Sequence, residues 1–198
     1  DTKIFSGIFI QPASGDAGGA VGCALAAYYT HYEKERKIIC PDAMQNSLLG
    51  NSYMQKEFEV LLQKHPNYIN YTSEDELCIK TAQLIADGKV IGWFQGQMEF
   101  GPRALGNRSI VADARNPDMQ LHLNLKIKNR ESFRPFAPAV LEEDVRKYFE
   151  IKGISPYMLQ VHKVKRDYLK RLPDNFSELT LKEKLYTLKS TIPAVTHV

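Results

Sequence analysis

A short stretch near the middle of the chain decides most of what it can become. Ser73-Glu74-Asp75-Glu76 has the spacing of a capping box, in which the Ser oxygen takes the amide three residues on and Glu76 reaches back to the cap. A helix is predicted from there to about Asp87, with Leu77, Ala82, Leu84 and Ile85 on its core face. Gly88 suits the left-handed position just past its end. The apolar run KVIGWFQG that follows reads as a buried strand. Helix, glycine stop and apolar strand is the grammar of an α/β layer, so the expected fold class is α/β, with a mixed α+β sheet. EFGPRALGNRS comes directly after the strand, where open α/β sheets tend to bind ligands.

Charge concentrates at that same place. Between Phe100 and Arg134 stand Arg103, Arg108, Arg115, Lys126, Lys128, Arg130 and Arg134 against Asp113, Asp118 and Glu131, a surplus of four. The whole chain carries only +3, so the remainder sums to about −1. Several of these cations are framed by Gly, Pro and apolar residues (GPRALGNRS, FRPFAP), as in a pocket wall. Such a cluster asks for an anion. Lys126, Lys128 and Arg130 alternate and cannot share one face of a regular helix. Lys128 and Arg130 are therefore expected at the exit of the helix that MQLHLNLKIKNR predicts, aimed at a common target. Arg supplies a bidentate fork and Lys a point charge, a mixture suited to phosphate or a polarised carbonyl. One cation group lies at a strand end and the other at a helix exit, so the two can converge. The competing reading pairs these cations with Asp113 and Glu131, but surface pairs contribute little and need no Gly/Pro framing.

Upstream, IFSGIFIQ at 4–11 reads as a strand, and PASGDAGGA leads into a helix over about Gly18 to Arg36. Gly18, Gly19 and Gly22 leave its first turn bare, so a phosphate or another backbone could approach the amides. Asp16 stands just before it, either as the N-cap or as a carboxylate at the mouth of a nucleotide or metal site. A connecting region with a helix at 54–64 follows. Beyond the cation cluster, FAPAVL reads as a strand and EEDVRKYFE as a helix, while 163–190 reads as solvated helices or a mobile segment. His197 is a ligand on one reading and structural on the other.

At 198 residues the chain has room for one domain with a proper core, or one domain and part of another. No run approaches 18 apolar residues, so no membrane span is expected. DTKIFSGIF lacks the basic and apolar regions of a secretory signal, and the missing initiator Met suggests a chain taken from something longer. Cys23, Cys40 and Cys78 are too far apart for a disulfide framework or a CxxC metal pattern, and fit idle thiols in a reducing cytoplasm. The small net charge argues against wholesale nucleic-acid binding.

The run QGQMEFGPRALGNRSIVADAR together with KIKNRESFRPFAPAVL resembles the carboxy-terminal domain of the NodU/CmcH-type O-carbamoyltransferases. The opening FIQPASGDAGGAVGCALAAYY resembles the end of that family's amino-terminal domain, and IPAVTHV also matches. The resemblance implies residues 1–40 as the tail of an actin/hexokinase-like ATPase-superfamily domain, 41–72 as a connecting region, and 73–198 as an incomplete YrdC-like domain. It implies a two-site enzyme. Carbamoyl phosphate and ATP would give carbamoyl adenylate in the YrdC-like domain, and the carbamoyl group would pass to a hydroxyl of a small-molecule acceptor. Asp16, in a GDxG-type motif, matches a carboxylate ligand of a divalent metal (Fe or Mg/Mn) whose His ligands would lie upstream, in the mostly absent amino-terminal domain.

Lys128-x-Arg130 matches a Lys-x-Arg element of YrdC-like proteins, so Lys128, Arg130 and Arg103 are the expected catalytic cations. Arg103, Arg108, Ser109, Lys128, Arg130 and Arg134 are the expected carbamoyl phosphate and ATP ligands. Preplaced cations in a desolvated pocket would stabilise charge developing on the α-phosphate, with no side-chain nucleophile required. The expected partners are those substrates and the missing domain, and a homodimer is left open. The fragment alone is expected to be inactive. The alternative is a nucleotide- or RNA-binding YrdC-like module without transfer activity. Against it, only Phe100, Phe133 and Phe136 interleave with the cations, too few for a stacking platform.

Overall fold

The computed structural model describes residues 4–40 and 42–197. The chain divides into two compact units. The first comprises Asp1–Ile69, Trp93–Ser109 and Ser155–Gln160, and the second Asn70–Gly92, Ile110–Ile154 and Val161–Val198.

In the first unit, α1 (Asp16–Ala26) continues as a π-turn over Ala27–His31. Its N-cap is Gly15 at φ 89°, so Asp16 is the first helical residue and not the cap. The helix α2 (Gln55–Lys64) begins where the Glu57 carboxylate accepts the Met54 amide at 2.7 Å. Between them Gln45, Asn46 and Ser47 have φ of 48°, 55° and 63°, a left-handed turn that L-residues adopt only when held there. Asp42 holds it, accepting the amides of Met44 at 2.7 Å and Gln45 at 3.1 Å. The Tyr157 hydroxyl donates to Asp42 at 2.8 Å and accepts the Asn46 amide at 3.1 Å. No strand forms at 4–11. Ile4, Phe5, Ile8 and Phe9 are exposed, and among the described residues no strand pairs with this segment, which a strand requires.

In the second unit, α3 (Glu74–Ala86) starts at Ser73, whose oxygen accepts the Glu76 amide at 3.2 Å. The reciprocal half of the box is shifted by one residue. Glu76 takes the amide and hydroxyl of Thr72, at 2.9 and 2.7 Å, rather than the Ser73 amide. These bonds hold the Glu76 carboxyl below its usual range. Gly88 ends the helix at φ 79°. Met119, Leu123 and Ala194 form a buried cluster, with Val90, Ala112 and Phe136 packed against it. Met119 opens α4 (Met119–His122), which runs on as a π-turn over Leu123–Ile127. Phe149 at the end of α5 (Val145–Tyr148) bridges to Val164, and Leu169 bridges to Ser190. The helix α6 (Leu181–Tyr186) is capped by Thr180. FAPAVL is irregular backbone and not a strand, because no neighbouring strand takes up its backbone groups among the described residues.

The strands β1 (Ile91–Phe94) and β2 (Arg108–Val111) pair as a two-stranded sheet, so the protein is mixed α/β. Among the described residues, no helix is long and apolar enough to cross a membrane.

Candidate anion-binding site

The connection from β1 to β2 carries the first group of cations. It is built around Glu99, which is 6% exposed. One oxygen of its carboxylate accepts the amides of Leu105 at 2.6 Å and Asn107 at 2.7 Å. Burial alone would raise the Glu99 pKa, yet these amide bonds and the nearby Arg108 charge hold it below the usual glutamate value. The neighbouring Phe100 amide donates to Ser47 O at 2.6 Å, at the end of the left-handed turn. Gly101 sits at φ 119°, and a Cβ there would lie 2.6 Å from Ala13 Cβ. A side chain at that position is strained both by φ and by the contact.

Arg108 begins β2 and faces the end of β1. Its guanidinium carbon lies 3.5 Å from the Phe94 ring centroid. Nη1 donates to Gln95 O at 2.6 Å and Asn107 O at 2.8 Å, and Nη2 donates to Gly96 O at 3.0 Å. Three of its five N–H groups are therefore spent on closing the loop. Ser109 Oγ accepts the Gly106 amide at 3.0 Å, leaving its O–H to donate. Arg103 is exposed at the loop tip, and among the described residues its side chain donates to Pro102 O alone, at 3.4 Å.

The second group stands at the exit of α4. The π-turn ends at Lys128, and Asn129 is left-handed at φ 45°, which turns the chain sharply between Lys128 and Arg130. This is the helix exit anticipated for the pair. Asn124, fully buried, organises it. Its amide nitrogen donates to Ser132 O at 3.0 Å and Arg134 O at 2.9 Å, while its oxygen accepts Arg130 Nε at 2.7 Å. The Asn124 carbonyl also accepts the Arg130 amide at 2.9 Å. Arg130 is half-buried with its guanidinium 5.1 Å from the Phe136 centroid. Lys128 is exposed, its backbone amide donates to Leu123 O at 2.9 Å, and its side chain enters no ion pair among the described residues. Arg134 pairs with Glu131 at 3.1 Å, and that hydrogen bond keeps the Glu131 carboxyl below its usual value. Arg115 likewise pairs with Asp113 at 2.8 Å. The reading that paired cations with Asp113 and Glu131 thus describes Arg115 and Arg134, and not Arg103, Lys128 or Arg130.

Arg103, Arg108 and Ser109 belong with Asp16 to the first unit, and Lys128, Arg130 and Arg134 to the second. Asp16 is exposed in the first turn of α1. No group of three or more His, Cys, Asp or Glu side chains placed to hold a metal occurs among the described residues. His197 is structural: its Nε2 lies 2.9 Å from Phe136 O and 3.2 Å from Phe136 N. The three cysteines are free and exposed.

Glu99 and Asn124 were absent from the residues that sequence reasoning selected. Neither stands in a charged pattern. The one available signal was a polar side chain set among apolar neighbours, MEF and LNL.

Residues 82–198 match the family described as carbamoyltransferase C-terminus. The chain is 50% identical over 197 residues to an uncharacterized protein of Synechocystis sp. (sll1178), covering 98% of this chain and 32% of that one. It is 41% identical over 148 residues to nodulation protein NolO of Bradyrhizobium diazoefficiens, covering 75% of this chain and 26% of that one. It is 32% identical over 163 residues to a 3'-hydroxymethylcephem-O-carbamoyltransferase of Streptomyces clavuligerus, covering 82% and 29%. The chain therefore spans about a third or less of the length of the curated relatives it matches. The match covers more than half of the chain, cation cluster included, and the chain belongs to the NodU-type carbamoyltransferase family.

Proposed function

We propose that this chain serves an O-carbamoyltransferase in which water cleaves carbamoyl phosphate to carbamate and phosphate, and a carbamate oxygen then bonds to the α-phosphorus of ATP as pyrophosphate leaves, giving carbamoyl adenylate. The carbamoyl group then passes to a hydroxyl of a small-molecule acceptor. The observation that carries the reading is the exit of α4, where left-handed Asn129 and buried Asn124 set Lys128 and Arg130 apart from the carboxylates that occupy Arg115 and Arg134. It lies inside the family-matched region, and the Streptomyces relative is named for an O-carbamoyl transfer.

Within the second unit, Lys128 and Arg130 stabilise the negative charge that develops on the α-phosphate as the adenylate forms, while Arg103, in the first unit, contributes its own charge to anion binding there. In the second step the acceptor hydroxyl oxygen bonds to the carbamoyl carbon, its proton passes to water, and AMP leaves with the bonding electrons. Ser109 donates its O–H to a substrate oxygen, as its own acceptor role is met by Gly106. Arg108 has two N–H groups beyond its three carbonyls, and Arg134 shares its fork with Glu131, so both contribute less to substrate binding. A divalent metal would take Asp16 as one ligand. Among the described residues, no group of three or more His, Cys, Asp or Glu side chains gathers around it. The fold we propose for 73–198 is YrdC-like, joined by 41–72 to a segment, 1–40, of an actin/hexokinase-like domain.

The test needs no acceptor. The whole protein is expected to exchange labelled pyrophosphate into ATP only when carbamoyl phosphate is present. Absence of that dependence sinks the adenylate reading. Residues 1–198 alone are expected to transfer no carbamoyl group, and turnover by them refutes the need for the rest of a protein of the relatives' length.

A further inference from the structure

We infer that Asn124 is a positioning residue for the carbamoyl phosphate and ATP anions, acting through Arg130 and the 132–134 backbone, an inference that rests on the function proposed above. A neutral amide with no exposed surface in the middle of an apolar helical run is unfavourable unless its hydrogen bonds are met. At Asn124 they are met by groups that all belong to the cationic turn. The amide nitrogen uses both hydrogens on carbonyls of Ser132 and Arg134, and the oxygen takes Arg130 Nε.

Two consequences follow from this geometry. Nε is the guanidinium nitrogen nearest the aliphatic stem. Holding it at 2.7 Å fixes the plane of the fork and leaves both Nη groups to face a ligand. The Phe136 ring, 5.1 Å from the guanidinium carbon, supports the same orientation. The carbonyls of Ser132 and Arg134, drawn onto one NH2 group, also curl the segment after Arg130 back toward the helix. The ring hydroxyl of Tyr186 fastens that segment again through Ser132 Oγ at 2.9 Å. Asn124 touches no substrate in this arrangement. It removes the freedom that Arg130 would otherwise lose on binding, and preorganisation of this kind appears directly as affinity.

The test is a double-mutant cycle in the whole protein, read by calorimetry with carbamoyl phosphate alone and again with ATP alone. Asn124→Leu keeps the branched shape and heavy-atom count and removes every side-chain polar contact, and Arg130→Ala removes the proposed ligand. Asn124→Leu is expected to weaken binding at least ten-fold in the native background and less than two-fold in the Arg130→Ala background. Equal weakening in both backgrounds means Asn124 merely supports the fold, and overturns this inference while leaving the proposed function standing. Unchanged binding in Arg130→Ala instead overturns the assignment of Arg130 as an anion ligand, and this inference with it. If Asn124→Leu does not fold, Asn124→Ser, which keeps one hydroxyl for Arg130, is put through the same cycle and read by the same two ratios.

Discussion

The β1–β2 connection should depend on Glu99 more than on any of its cations. Replacing Glu99 by Ala leaves the amides of Leu105 and Asn107 without their acceptor in a place where Glu99 itself was 6% exposed. A hydrogen bond to a charged group contributes about 1.5–3 kcal/mol, so two would be worth roughly 3–6 kcal/mol. The loop tip around Arg103 is open to water, which can rehydrate part of what is freed, so the loss should fall near the lower bound, about 3 kcal/mol. Glu99→Gln keeps an acceptor oxygen and loses only the charge, for about 1 kcal/mol. With a urea slope near 2 kcal/mol per molar, the midpoints should drop by about 1.5 M and 0.5 M respectively. Trp93, the single Trp of the chain, lies in β1 and reports the transition by fluorescence.

The pH dependence gives a second, signed reading of the same site. The folded-state pKa of Glu99 is depressed, so its contribution is fully present above the ordinary glutamate value. That contribution is lost as pH falls through the lower folded value. The gap between wild type and Glu99→Gln should therefore narrow only in acid, below the usual glutamate range. A gap that stays constant through that window, or an Ala variant no less stable than the Gln variant, refutes the reasoning.

Other sites make separate demands. Arg103→Ala and Lys128→Ala should each weaken carbamoyl phosphate or ATP binding by more than ten-fold in calorimetry on the whole protein, since a charge-assisted phosphate contact is worth about 1.5–3 kcal/mol. Unchanged affinity removes either from the site. Arg108→Ala should behave differently, costing about 2 kcal/mol of stability in urea unfolding through its lost carbonyl bonds and its stacking on Phe94. A variant as stable as wild type would show that these contacts contribute nothing. Gly101→Ala should lose about 2 kcal/mol in the same assay, because φ is 119° and the new Cβ would meet Ala13 at 2.6 Å. An unshifted midpoint would mean the backbone there yields freely.

What the sequence determined by itself was whatever depends on neighbours a few residues apart. Ser73 three residues before Glu76, Gly88 after Ala86 and the apolar run at Ile91–Phe94 carry their instructions locally, and the capped helix, its stop and the strand appear where the spacing puts them. The alternation of Lys126, Lys128 and Arg130 likewise announced a helix exit, and the long motifs announced the family. Tertiary structure decided the rest. Strand-like runs at 4–11 and in FAPAVL stay irregular, because a strand exists only beside another strand and composition cannot supply one. The cations of one cluster divide into roles that charge alone leaves equivalent. Arg108 closes a loop on backbone carbonyls, Arg115 and Arg134 take carboxylates, Arg130 is held by buried Asn124, and Lys128 stays exposed. Glu99 and Asn124, the side chains that hold both cationic loops in shape, became legible only once folding brought distant amides and carbonyls within 3 Å of them. A buried polar group takes its meaning from the partners that the fold delivers to it, and those partners are not its neighbours in sequence.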